Sequence, residues 1–296
     1  MSLTHLRSVA ISAEDPAALL SFYENTWGLH RSGTASDGSI LLRANSDEHH
    51  VLALSRGSGH SLELICLGAD SAAGVDELAA RLREHGTEIA SGPGPRTEPG
   101  GGYAVTFLDP EGRRIEVSAD LELLPKSAER AAGPDRLSHI VLNSLAVQES
   151  VDFYTAVLGF TVSDWYEDDQ MIFLRCNTMH HCIVIAPGKW VSLNHVAFEV
   201  ATADDVMKAL GRMRKAGIDT VWGPGRHGPG GNVFCYFIDP AGNVIEYTAE
   251  LLQVDSDWQP HEWERNFENA DVWGTSGGLN PVVLAAMANP PAGSLR

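Results

Sequence analysis

The stretch FCYFIDPAGNVIEYTA, residues 234–249, decides how this chain is read. Residues alternate in the strand manner on both sides of Asp239-Pro240-Ala241-Gly242, and Asp, Pro and Gly at those offsets build a tight turn. The same pattern stands about 130 residues earlier, where Asp109-Pro110-Glu111-Gly112 is followed by Ile115-Glu116 as the later turn is followed by Ile245-Glu246. Working outward, Gly92-Pro93-Gly94 recurs as Gly223-Pro224-Gly225, and Phe22-Tyr23 ahead of Gly28 recurs as Phe153-Tyr154 ahead of Gly159. Landmarks repeated in the same order mark an internal duplication.

The seam falls in LPKSAERAAGPDR, residues 124–136, a polar stretch with Pro and Gly. The expected organisation is a first domain over 1–124, a linker over 125–136, a second domain over 137–252 and an arm over 253–296. The arm holds Trp258, Trp263, Phe267 and Trp273, too aromatic for a simple disordered tail. It is expected to pack on the body or on a neighbouring subunit, and the chain to form a homo-oligomer. Within the halves, Asp15-Pro16 has the form of an N-cap with Pro at the first helical position. Thr202 with Asp205 resembles a capping box, and Gly86 and Gly217 sit where helices end. The result is four strand–helix–strands units in an α+β protein with mostly antiparallel sheets.

The 296 residues suffice for a sizeable core, and 44% are apolar. A net charge of −18 argues against nucleic acid or an anionic membrane as partner. No apolar run reaches the roughly eighteen residues of a membrane span, and the N-terminus has no secretory pattern. Cys66, Cys176, Cys182 and Cys235 are scattered, which favours a reducing cytoplasm. The glycine-rich GPGRHGPGGN has no following GKS or GKT, so a P-loop is excluded.

His139 lies in the strand-like LSHIVLNS and His195 in LNHVAF, each opening one unit of the second half; Glu246 lies in its last strand. Two imidazoles and one carboxylate with open positions form the facial triad of non-haem Fe(II) oxygenases. The first half serves as a control. Ser8 stands for His139, Glu116 matches Glu246, and no histidine around 60–64 falls in the register of His195. The second half is thus expected to hold histidines where the first has none.

These residues resemble the type I extradiol ring-cleavage dioxygenases of the vicinal oxygen chelate superfamily. That family's signature is a His, a Tyr nine residues on, a D/N-P-x-G turn, and a Glu ten residues past the Tyr. His227, Tyr236, Asp239-Pro240, Gly242 and Glu246 fit it, with Cys235 before the Tyr where a larger side chain is usual. His180-His181 after Asn177 is similar to the family's Asn-x-x-His-His segment. The resemblance covers roughly residues 5–250. It implies two tandem domains, each of two βαβββ modules forming a cupped sheet around a cavity. It further implies Fe(II), with Mn(II) possible, on His139, His195 and Glu246; His181 as acid–base; and His227 and Tyr236 on the substrate oxygens. The implied substrates are a small aromatic vicinal diol and O2. The competing readings are a glyoxalase-like lyase or isomerase, which commonly adds a fourth protein ligand, and a non-enzymatic drug-binding protein.

Overall fold

The computed structural model describes residues 2–57, 59, 61–126, 133–169 and 171–290; part of the expected linker, 127–132, and His60 lie outside them. The first half runs β1 (Leu3–Ala13), α1 (Pro16–Phe22), β2 (His30–Thr34), β3 (Ile40–Arg43), β4 (Leu52–Arg56), β5 (Ser61–Ala69), α2 (Ala72–Glu84), β6 (Ile89–Pro95), β7 (Tyr103–Leu108) and β8 (Arg114–Ala119). The second repeats this as β9 (Arg136–Ser144), α3 (Val147–Ala156), β10 (Thr161–Tyr166), β11 (Ile172–Arg175), β12 (Ile183–Pro187), β13 (Ser192–Glu199), α4 (Ala203–Lys215), β14 (Trp222–Arg226), β15 (Val233–Ile238) and β16 (Val244–Ala249). The arm adds β17 (His261–Trp263), α5 (Phe267–Ala270) and α6 (Pro281–Ala288).

The strands form two sheets, ordered β2-β3-β4-β1-β5-β8-β7-β6 and β14-β15-β16-β13-β9-β12-β11-β10-β17. The first strands of the two units in each half, β1 with β5 and β9 with β13, pair antiparallel at mid-sheet. Each also pairs in parallel with the last strand of its own unit. These are the four expected βαβββ units in an α+β fold.

Local chemistry sets the boundaries. Asp15 accepts from the backbone N–H groups of Ala17 and Ala18 ahead of Pro16, and Thr202 accepts from Asp205 N. Gly86 and Gly217 take left-handed φ values of 77° and 76° just past their helices. The alternation read in residues 234–249 does not appear as alternating burial. Every residue of β16, and all of β15 but its last, is buried. One reason is that α4 packs against both strands, while α6 of the arm lies over β16 and β13.

The repeated Asp and the repeated Tyr are partners across the duplication. Asp239 Oδ1 accepts from the N–H groups of Ala241 and Asn243, both at 2.9 Å, and its Oδ2 accepts from Tyr23 Oη of the first half at 3.0 Å. Asp109 Oδ1 accepts likewise from Glu111 and Arg113, and its Oδ2 from Tyr154 Oη of the second half at 3.4 Å. Trp27, fully buried, stacks on Tyr247 with centroids 3.6 Å apart, and Tyr247 Oη donates to Trp27 O.

Of the two placements expected for the arm, packing on the body is seen. β17 pairs in parallel with β10, and Trp258 Nε1 donates to Ser163 O at 2.9 Å. Among the described residues no helix is long and apolar enough to cross a membrane.

Tyr23→Phe removes a donor from a buried carboxylate and should cost about 1–3 kcal/mol in denaturant unfolding. Tyr103→Phe, whose hydroxyl meets Asp76 at the surface, should stay within about 0.5 kcal/mol. Equal stability of the Tyr23→Phe and parent proteins would contradict the cross-duplication lock.

Candidate metal centre

Strand register brings the triad together. Antiparallel pairing sets Ala197 opposite His139, and parallel pairing sets it opposite Glu246. His139, Ala197 and Glu246 therefore stand side by side across β9, β13 and β16, and His195, two residues before Ala197, faces the same way. The ligating atoms of His139, His195 and Glu246 lie within 4.8 Å of one another. Nε2 of His139 is 3.3 Å, and Nε2 of His195 3.4 Å, from Glu246 Oε2.

The outer atoms of these side chains are occupied. His195 Nδ1 donates to Asn194 Oδ1 at 2.9 Å, and Asn194 Nδ2 donates to Asn143 Oδ1 at 3.0 Å. His139 Nδ1 lies 3.2 Å from Ser138 Oγ, and Glu246 Oε1 accepts from Asn232 Nδ2 at 3.3 Å. The Asn194 oxygen on Nδ1 leaves Nε2 of His195 bare toward the centre. Inside, His195 Nε2 and Glu246 Oε2 are buried without a hydrogen-bond partner. Burial works to raise the Glu246 carboxyl, but the His139 and His195 imidazoles outweigh it and hold it well below the usual carboxylate range. Burial lowers His195. A buried carboxylate facing bare imidazole nitrogens fits a divalent cation, and the donor set suits Fe(II) or Mn(II) with positions left open.

Three further residues singled out in the sequence surround this centre. His181 is buried, with its ring 4.5 Å from that of His139; burial first, then the charge of His139, push it well below 6.5. His227 is pushed down to about 4 by burial. Its Nδ1 lies 2.8 Å from Ala270 O of the arm, so Nδ1 carries the proton and Nε2 accepts from Tyr236 Oη at 3.1 Å. Tyr236 is raised well above 10, by burial and then by the Glu246 charge, and stays a phenol. His139, His181, His195, His227 and Tyr236 line one cavity of about 740 Å³. Tyr166, Phe173, Trp190 and Trp222, with Leu284 and Met287 of α6, supply apolar wall.

The glycine-rich stretch is a packing device. A Cβ on Gly228 would stand 2.7 Å from Asn269 O and 2.8 Å from the Trp263 ring, and one on Gly230 would stand 3.0 Å from His181 Cε1. Only glycine lets the arm and His181 approach this closely.

The first half has a smaller cavity, about 480 Å³, lined in part by Ser8, Leu64, Glu116, His50 and Arg96. Ser8, Cys66 and Glu116 pair as His139, Ala197 and Glu246 do. Arg96 Nε lies 2.9 Å from Glu116 Oε1, so a guanidinium shares this half-buried carboxylate. The expectation that the first half lacks histidine counterparts needs one correction. His49-His50 repeats His180-His181, with Nδ1 atoms 3.1 Å apart in the first pair and 3.0 Å in the second. The duplicated His-His dipeptide, at the same offset as the other landmarks, was the signal. Asn143, Asn194 and Asp164 carried no such signal.

The Glyoxalase/Bleomycin resistance protein/Dioxygenase superfamily model matches residues 5–117 and 136–247. The chain is similar to Metapyrocatechase 2 of Cupriavidus necator, with 31% identity over 64% of this chain and 63% of that protein's length. It is 30% identical to the Biphenyl-2,3-diol 1,2-dioxygenase of Paraburkholderia xenovorans, over 87% of this chain and 91% of the relative. Among solved structures, the Mn(II)-bound glyoxalase from Novosphingobium aromaticivorans superposes with a TM-score of 0.90 and 41% identity, over 95% of this chain and 94% of that one.

His195→Ala and Glu246→Gln proteins should each retain less than about a tenth of the parent's metal after dialysis, with fold preserved by circular dichroism. Parent metal should also be released on acidification, since its ligands bind it unprotonated. Stoichiometric metal in Glu246→Gln would contradict the site.

Proposed function

Starting from a chain that belongs to the Glyoxalase/Bleomycin resistance protein/Dioxygenase superfamily, we propose that it cleaves the ring of a catechol-type vicinal diol with O2, extradiol fashion. The observation that carries this is a three-donor centre, His139, His195 and Glu246, opening on an apolar cavity beside His181, His227 and Tyr236. The names of two relatives, a metapyrocatechase and a biphenyl-2,3-diol dioxygenase, support the same reaction class. The metal is Fe(II), or Mn(II) on the same ligands; when bound it supplies a Lewis acid and an electron path joining diol to O2.

The chain's own residues do the rest. The aromatic and aliphatic walls take the ring and exclude water. His181, kept neutral by burial, takes the proton of a diol hydroxyl at its free nitrogen and can return it later. Tyr236, kept a phenol, turns its one hydroxyl hydrogen from His227 Nε2 to a substrate oxygen as negative charge develops there. Both O2 oxygens end in the product, an acyclic semialdehyde or keto acid.

A lyase or isomerase reading draws on the 41% identical structure, which is named a glyoxalase. Against it stands the donor count. Among the described residues the triad gathers no fourth His, Cys, Asp or Glu ligand.

Two assembly features complete the proposal. The arm exposes Val272, Trp273, Val282 and Leu284, and this apolar surface supports a homo-oligomer, tested by light scattering. The four cysteines are unpaired, which supports a cytoplasmic setting.

Oxygen-electrode assays over substituted catechols should show equimolar loss of diol and O2 with a yellow product; turnover of any substrate without O2 uptake would favour the lyase or isomerase. His181→Phe should keep its metal and lose about a hundred- to ten-thousand-fold in kcat. Loss of metal instead would make His181 a ligand.

A further inference from the structure

Behind His181 lies a buried chain that the ligand set does not need. His181 Nδ1 is 3.0 Å from His180 Nδ1. His180 Nε2 lies 3.0 Å from Asp164 Oδ2, in a close, off-axis contact. His180 and Asp164 are 0% and 1% exposed, so water does not compete with these contacts. Asp164 also accepts from two arm donors, His261 N to Oδ1 at 2.8 Å and Trp263 Nε1 to Oδ2 at 2.7 Å.

The protons in this chain follow from its ends. A bare imidazole nitrogen against a carboxylate oxygen is repulsive, so His180 Nε2 carries the hydrogen. His180 Nδ1 is then a lone pair. It accepts, and His181 Nδ1 donates. The nitrogen left to His181 is Nε2, unprotonated, on a residue that lines the cavity. We propose that Asp164 and His180 are positioning residues that fix the tautomer of His181, so that its cavity-facing nitrogen is ready to accept a diol proton. This rests on the ring-cleavage reading. In the step concerned, the proton leaves a substrate hydroxyl and ends on His181 Nε2, and the O–H electron pair stays on oxygen.

The duplication supplies a control. The first half keeps the pair His49-His50 with the same nitrogen contact. At the place of Asp164, in the same register after the same bulge, stands Gly33. The half without the ligand set thus lacks the carboxylate at that position.

Asp164→Asn reverses the logic. Three donors converge on two carboxylate oxygens, and an amide offers one oxygen. If that oxygen serves the fixed backbone N–H of His261, the amide NH2 faces His180 and requires its Nε2 bare. The chain then runs backwards and leaves His181 Nε2 protonated toward the diol. The test uses the metal-loaded full chain. Asp164→Asn should keep its metal and a KM within about threefold of the parent, while kcat falls about 10- to 100-fold, the range of an outer-shell partner. Anaerobic titration with a chromogenic nitrocatechol gives a readout apart from turnover: the parent should bind it ionised, and Asp164→Asn with a smaller ionised fraction. Should Asp164→Asn lose metal or melt early, His180→Phe, which keeps a ring between Phe173 and Trp258, carries the same comparison. Trp263→Phe removes only the arm's tie and should leave kcat within about threefold.

Unchanged kcat and ionisation in both Asp164→Asn and His180→Phe would overturn the proposal. So would a Trp263→Phe loss as large as that of Asp164→Asn, since Asp164 would then be only a tether. A parent that consumes no O2 would overturn ring cleavage instead, and nitrocatechol ionisation would still decide between the two tautomers.

Discussion

A carboxylate held away from water between two bare imidazole nitrogens is a charge that a protein interior keeps only when a cation shares it. Glu246 is close to that position: its inner oxygen has no hydrogen-bond partner, the imidazole nitrogens of His139 and His195 lie 3.3 and 3.4 Å from it, and that of His195 is an acceptor once Asn194 is counted. The surrounding structure reads as a frame for this arrangement. Two strand registers through Ala197 set the three donors on one face. Asn194, itself held by Asn143, chooses which nitrogen of His195 carries its proton outward. The arm closes the same frame, since Ala270 O fixes His227 and Met287 O accepts from Asn143 Nδ2 at 2.7 Å.

Duplication explains how such a site is built from ordinary parts. Each half folds its strands into a cupped sheet, and each turn Asp is completed by a Tyr from the other half, so the halves stabilise one another. Within that shared frame the two centres solve the buried-charge problem differently. The second half gathers two imidazoles around Glu246, a set that an external cation completes. The first half brings Arg96 to Glu116, an internal cation beside that carboxylate.

Much of this was legible in the chain. The turn and Gly-Pro-Gly landmarks repeat in order, so the four units follow from spacing, and His139, His195, Glu246, His181, His227 and Tyr236 each stand in a motif or strand pattern that the chain displays. Other features were not. Asp164 is one carboxylate in a short strand, and only the fold shows that it meets His180 and two arm donors. Asn143 and Asn194 act through a pairing of β9 with β13 that no local pattern displays. The arm was legible as packed, from its tryptophans, but its part in holding His227 runs through a backbone carbonyl, which side-chain identity does not encode. His49-His50 could have been found, because the dipeptide repeats at the common offset.

The central claim is that this centre joins a diol to O2 with ring opening. Mass spectrometry of the product formed under ¹⁸O-labelled dioxygen, with Fe(II)-reconstituted enzyme and a catechol it consumes, tests that claim most directly. The account predicts an acyclic product formed with both labelled oxygen atoms, less whatever aldehyde label exchanges with water. A product without label, or one with its ring intact, would contradict it.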